Sequence, residues 1–334
     1  MKRLFAIPVI LASIIICAGS YPDQTPEEIL QAIVKVQSVV PDDAVTAPIL
    51  GTERSGSGVL IDSEGHILTI GYLILEARTI EVVGPDERVM EATFVGYDFD
   101  TGFGLLKVNQ PLNVSPMNLG SSAKLQEGDP ALVASYLGSD AVAGVRVVSR
   151  GEFAGDWEYL LESAIYTIPP YENYGGAALI GPDGSLLGIG SIFTRLTIAD
   201  FGTAAANVFV PIDLLKPILE DLKTHGKSGR PQKPWLGLNS EESHGRVFIT
   251  RVLPGSPGDK SDLQIDDLIL RVGHQPVRGQ ADFYRKLWSL GNAGVKVPLT
   301  ILRGTEIKEI TITSTDRYQL LKLPAGKPGK KETL

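Results

Sequence analysis

The side chains that could carry out chemistry are few and scattered along this chain. Its four histidines (His66, His225, His244 and His274) stand far apart, so they give no ligand spacing for a metal, and each reads as an ordinary surface or strand residue. The single cysteine, Cys17, falls in the apolar N-terminal run, which leaves the body without disulfide, thiol or thiolate-metal chemistry. The stretch that stands out is Asn173-Tyr174-Gly175-Gly176. It leads into two apolar runs, 177–180 and 185–189, joined by Gly181-Pro182-Asp183-Gly184. That pattern is a β-hairpin with a tight turn, entered through a glycine pair.

The elements that must position this hairpin are short strands at regular pitch. Residues 33–37 alternate as a first strand, after a short helix capped by Thr25 or Asp23 with Glu27 and Glu28 in its first turn. Residues 41–53 read as a loop. Hairpins follow at 59–62/66–70 and 79–83/89–95, then strands at 103–108, 131–136, 145–153, 159–167 and 207–210. This spacing, with 36 glycines and 22 prolines marking the turns, indicates an all-β barrel or sandwich architecture. Asp213 then reads as the N-cap of a helix over 214–224 that Gly226 ends, with Pro217 in its first turn. Lys227–Pro234 is a polar, proline-bearing linker, and a second compact unit begins at Trp235.

At 334 residues the chain is long enough for two domains. Residues 1–20 read as a signal peptide: Met1-Lys2-Arg3, an apolar run from Leu4, and small residues at Ala18-Gly19-Ser20. A lipid anchor at Cys17 is the alternative, disfavoured by Ile16 just before it. The net charge of −8, more acidic once Lys2 and Arg3 are removed, argues against nucleic acid as the main partner.

In order along the chain stand Gly56-Ser57-Gly58, Asp62 through Leu68-Thr69, Leu105-Leu106-Lys107, Gly175-Gly176, the 211–226 helix and Trp235-Leu236-Gly237. In that order they resemble the HtrA (DegP-like) family, secreted trypsin-like serine proteases with a C-terminal PDZ domain. The resemblance covers roughly residues 30–316. It implies a mostly β fold: a trypsin-like double β-barrel followed by an α+β PDZ domain. The boundaries expected are a protease domain at 21–228, a linker at 229–234, the PDZ domain at 235–316 and a flexible basic tail at 317–334.

The resemblance also says where a Ser-His-Asp triad would stand. A serine attacks, a histidine takes its proton, and an aspartate orients the histidine. The family's histidine position falls on Tyr72, its aspartate position on Gly102 and its serine position on Tyr174. His66 lies six strand residues before Tyr72, about 20 Å along the chain, too far to substitute. Glu172 stands where the family's loop has a glycine, and a carboxylate there opposes an oxyanion. On this reading there are no catalytic residues and the chain is not an enzyme. Tyr72 and Tyr174 either fill a vacated cleft or line a surviving groove.

The PDZ-like unit keeps more of the family's machinery. Trp235, Leu236, Gly237 and Leu238 match its carboxylate-binding loop, whose backbone N–H groups form a nest for a peptide's C-terminus. Phe283, Leu287 and Leu290 share one helical face that could wall the pocket for the last side chain. Asp262 and Asp266 replace two family glycines and tolerate left-handed backbone. The function expected is therefore an exported, periplasmic or extracytoplasmic pseudoprotease that binds peptides or protein C-termini as adaptor, scaffold or holdase. It would need no cofactor or metal, and would have no nucleic-acid partner and no membrane span after signal cleavage. The alternatives are a serine-type endopeptidase with a rewired site, or a regulator in mixed oligomers with an active relative.

Overall fold

The computed structural model describes residues 24–136, 141–198, 202–321 and 323. The expected signal peptide, Cys17 and the end of the basic tail lie outside them.

Helix α1 (Pro26–Gln31) opens with a capping box: the Glu28 amide donates to Thr25 Oγ1 at 3.3 Å, and the Thr25 amide to Glu28 Oε2 at 2.7 Å. Strand β1 (Ile33–Val39) follows, with Val34 and Val36 buried between half-buried Lys35 and Gln37. With β2 (Glu53–Leu60), β3 (His66–Ile70), β4 (Thr79–Val83), β5 (Val89–Tyr97) and β6 (Phe103–Val108), it closes a barrel in the order β1-β2-β3-β6-β5-β4. The segment read as a loop before β2 holds a helical turn, α2 (Ala47–Leu50). Its start is tied down by the Glu76 carboxylate, which accepts from the amide and hydroxyl of Thr46 at 2.8 and 2.7 Å.

A second barrel is closed by β7 (Pro130–Ala134), β8 (Val142–Gly155), β9 (Tyr159–Ile168), β10 (Ala178–Ile180), β11 (Leu186–Ile198) and β12 (Gly202–Pro211), in the order β10-β11-β12-β9-β8-β7. The expected hairpin is β10–β11.

The helix expected over 214–224 is shorter. Pro217 has no N–H to offer, so a 3₁₀ turn forms at Ile212–Leu214 and helix α3 begins beyond the proline, at Leu219–His225. Asp213 caps a different segment: its carboxylate accepts from Ser122 Oγ at 3.0 Å and from the Ala123 amide at 2.7 Å. Gly226 ends α3 in the left-handed conformation, φ +74°.

The third unit is a six-stranded sheet of β13 (Leu238–Ser243), β14 (Arg246–Val252), β15 (Leu268–Val272), β16 (Gln275–Pro276), β17 (Lys296–Arg303) and β18 (Glu306–Thr313). Its main order is β13-β14-β15-β17-β18, which leaves β13 at an edge. Helix α4 (Gln280–Ser289) buries Phe283, Tyr284 and Leu287 against the sheet. Asp262 and Asp266 adopt φ of +60° and +69°. Residues 317–321, expected to be flexible tail, pack back on the first barrel. Tyr318 Oη donates to the Tyr97 carbonyl at 2.7 Å, and the Arg317 guanidinium lies 4.6 Å from the ring centre of Phe99. An aromatic and a cation with ready partners outweigh the basic composition that suggested disorder.

Candidate functional site

The two glycine motifs singled out in the sequence meet each other. The Ser57 amide donates to the Gly175 carbonyl at 2.8 Å. Gly176 has φ +75°, and a Cβ there would stand 1.9 Å from the Ser57 carbonyl oxygen. Only glycine lets the 174–176 backbone lie this close to β2. The loop before β10 is thereby pressed against the first barrel and carries Tyr174 to the junction of the two barrels.

Tyr72 reaches the same junction from the other side. It sits in the 3₁₀ turn Gly71–Leu73 after β3, held by the buried Arg54, whose Nη1 donates to the carbonyls of Tyr72 and Leu75 at 2.8 and 2.9 Å. The Tyr72 phenol donates to the Ser191 carbonyl at 2.9 Å. Burial, and then the neighbouring Tyr174, push its pKa well above the usual phenol range, so it is a neutral hydrogen-bond donor. Gly102 completes the junction with φ +80°, its amide donating to the Asp98 carbonyl at 2.7 Å. Asp98 itself accepts from the Thr101 amide and hydroxyl at 2.9 and 2.7 Å, and burial raises its pKa. Tyr159 Oη donates to the Thr101 carbonyl at 2.6 Å and abuts the space above Gly102.

Tyr72, Gly102 and Tyr174 therefore line one cleft of about 340 Å³, together with Trp157, Tyr159 and Trp235. His66 does not approach it. It pairs with Lys107 on β6, and its Nδ1 lies 2.8 Å from Asp62. Glu172 is exposed on the loop. Among the cleft-lining residues one serine occurs, Ser191.

The amides of the loop 235–238 converge on one point. Its occupant is a side chain of the same protein. The Glu158 carboxylate accepts from the amides of Leu236 (3.0 Å to Oε2), Gly237 (2.7 Å to Oε1) and Leu238 (3.0 Å to Oε1). Gly237 has φ +80°, and a Cβ there would stand 2.2 Å from Ser256 Cβ, so the close approach requires glycine. Burial pushes the Glu158 carboxyl up to about 7, against the pull of the three amides and Arg317. Phe283 and Leu287 are fully buried, and Leu290 packs half-buried beside them. Leu160 of β9 joins their apolar cluster, with Leu236 and Leu238.

The sequence reading missed Asp156, Trp157, Glu158 and Tyr159. Their one local signal was an acidic-aromatic alternation between two predicted strands, and nothing in it pointed 78 to 80 residues ahead to the nest.

Residues 56–189 match the trypsin-like peptidase domain family, and residues 234–313 match the PDZ domain family. A DegP-like probable periplasmic serine endoprotease of Pseudomonas putida is 30% identical over 77% of this chain and 55% of its own length. The chain resembles the HtrA family in both of its domains. DegQ of Escherichia coli, a periplasmic pH-dependent serine endoprotease, is 26% identical over 81% of this chain and 62% of its own. The serine endoprotease DegS of Haemophilus influenzae is 26% identical over 79% of this chain and 77% of its own. The chain thus spans little more than half the length of the DegP-like relative. Among solved structures, the HtrA-type protease AlgW with decapeptide superposes with a TM-score of 0.51 at 20% identity, covering 87% of this chain and 97% of its own, which shows the shared fold.

These relatives correct one expectation. The sequence reading held that the chain is not an enzyme, whereas the proteins it matches are named serine endoproteases, which points to protease activity.

Proposed function

We propose that this HtrA-like chain engages extended polypeptide, in the aromatic cleft between its barrels and at the amide nest of its PDZ domain. The observation that carries this reading is the continuity of the cleft. Tyr72 and Tyr174 line it at the barrel junction, and Trp235, the first residue of the nest loop, lines the same cleft. Aromatic walls with polar tips suit an unfolded segment, because they bury apolar side chains and still meet backbone amides.

Hydrolysis of the bound segment is the activity that the relatives' names bring to this chain. Tyr72, Gly102 and Tyr174 stand at the positions that the family resemblance assigns to the triad, so a hydrolytic step here does not begin from a serine hydroxyl at 174 or a histidine at 72. The endopeptidase reading is accordingly one with a rewired site. Relatives named periplasmic support an exported chain, and no helix among the described residues is long and apolar enough to cross a membrane.

Fluorescein-labelled β-casein, an unfolded polypeptide, tests the reading by anisotropy titration, with the same mixtures followed by mass spectrometry for fragments. Saturable binding is expected, and discrete fragments would assign endoproteolysis to the chain. Absence of both binding and fragments overturns the proposal.

A further inference from the structure

The β8–β9 hairpin does more than end in a carboxylate near the nest. Its tip lies against the exposed edge of β13, joined to it by one backbone hydrogen bond. The Ser240 amide donates to the Asp156 carbonyl at 2.8 Å, two residues before Glu158 and two or more beyond the nest amides, so the two segments run antiparallel. Asn239 Nδ2 donates to Asp156 Oδ2 at 3.0 Å. From the helix side, Tyr284 Oη donates to the Gly155 carbonyl at 2.7 Å and accepts from the Glu158 amide at 3.3 Å. Arg285 on α4 makes ion pairs with Glu152 of β8 and Glu162 of β9. Leu160, two residues past Glu158, enters the apolar cluster of Phe283 and Leu287. A backbone hydrogen bond at an open sheet edge, a carboxylate in an amide nest and an apolar side chain beside it are contacts of the kinds by which such a domain takes a peptide C-terminus.

The backbone is bent to achieve this. Glu158 has φ +56°, a left-handed conformation that strains a non-glycine residue. Glycine would sit there without strain, yet the position holds the one side chain that fills the nest.

We infer that the β8–β9 hairpin is an internal ligand of the PDZ domain, with the Glu158 side-chain carboxylate in the place of a peptide's terminal carboxylate. The groove between β13 and α4 is closed to outside peptides while the hairpin is docked. Its competing partner is an extended polypeptide with a free C-terminal carboxylate and an apolar last residue. The inference rests on the reading that the nest takes peptide carboxylates.

The test uses the full chain with Glu158→Gly, which removes the carboxylate and relieves the backbone, so loss of the fold is not expected. Glu158→Gln serves as the shape-conserving companion. Hydrogen exchange reads the amides of Leu236, Gly237 and Leu238 directly. Binding is read with ten-residue peptide libraries ending in Leu, Val or Phe, each as free acid and as C-terminal amide. The expected result is at least tenfold faster exchange at the three amides in Glu158→Gly. Free-acid peptides should bind that variant at least tenfold tighter than wild type, and tighter than their amides.

Unchanged exchange at the nest, or equal binding of free acids by wild type and variant, overturns the internal ligand and leaves the carboxylate reading standing. Equal binding of acids and amides by the variant, or no binding after the amides are released, overturns that reading and the inference with it.

Discussion

Glu158 Oε1 lies 2.7 Å from the amide nitrogen of Gly237, although the two residues stand 79 positions apart and in different domains. The turn of a barrel hairpin and the glycine of a binding loop thus complete each other. Glu158 fills the amide nest, and the nest satisfies a carboxylate that would otherwise be buried without donors.

Docking of the hairpin should depend on pH. The carboxyl of Glu158 is raised from its ordinary 4.5 to about 7 when buried in the nest. Between these values the docked form keeps its proton while an undocked, solvated hairpin has lost it. Docking is therefore favoured at acid pH and weakens as pH rises through that window, with no further change from this group above it. The charged groups around it are Arg317, Asp156 and the Lys233–Asp100 pair at 3.0 Å. Exchange protection of the 236–238 amides, corrected for intrinsic rates, should fall between pH 5 and pH 8 in wild type. A flat profile would show that Glu158 docks without proton uptake.

Gly176→Ala should be among the most damaging single substitutions. It places a methyl group 1.9 Å from the Ser57 carbonyl at a φ of +75°. Strain and displacement of β2 together should cost about 3 kcal/mol or more. Thermal denaturation followed by circular dichroism measures it, and a melting temperature within a degree of wild type would refute the close approach.

Tyr72→Phe removes the hydrogen bond to the Ser191 carbonyl and leaves the ring in place. A loss of about 1 kcal/mol in urea unfolding is expected, with casein binding retained, because the ring supplies the contact surface. Loss of casein binding in a variant of unchanged stability would instead make the phenol hydroxyl a direct polypeptide contact.

Much of the fold could be read from the chain because its determinants are local. Alternation of apolar residues marked β1, a short apolar run marked β6, turn residues marked the hairpins, and paired glycines marked the places where backbones touch. The loop at 235–238 stood out only through the family resemblance, which Trp235-Leu236-Gly237-Leu238 carries as one contiguous motif. Glu158 did not. It donates nothing to a local motif, and its bonds to residues 236–238 exist only once two domains have packed. Arg54 was equally silent, because its role is to hold the carbonyls of Tyr72 and Leu75 across the barrel. The start of α3 differs because Pro217, expected inside a first helical turn, instead follows a separate 3₁₀ turn. The expectation of no activity rested on the side chains at positions 72, 102 and 174, and the named relatives point the other way.

That the cleft at the barrel junction receives extended polypeptide is tested most directly by hydrogen exchange on the full chain with and without reduced, carboxymethylated α-lactalbumin. New protection is expected at residues 71–73, 172–176 and 190–192, the three segments that bring Tyr72, Tyr174 and Ser191 to the cleft. Binding with protection confined to other surfaces, and none at these segments, would contradict it.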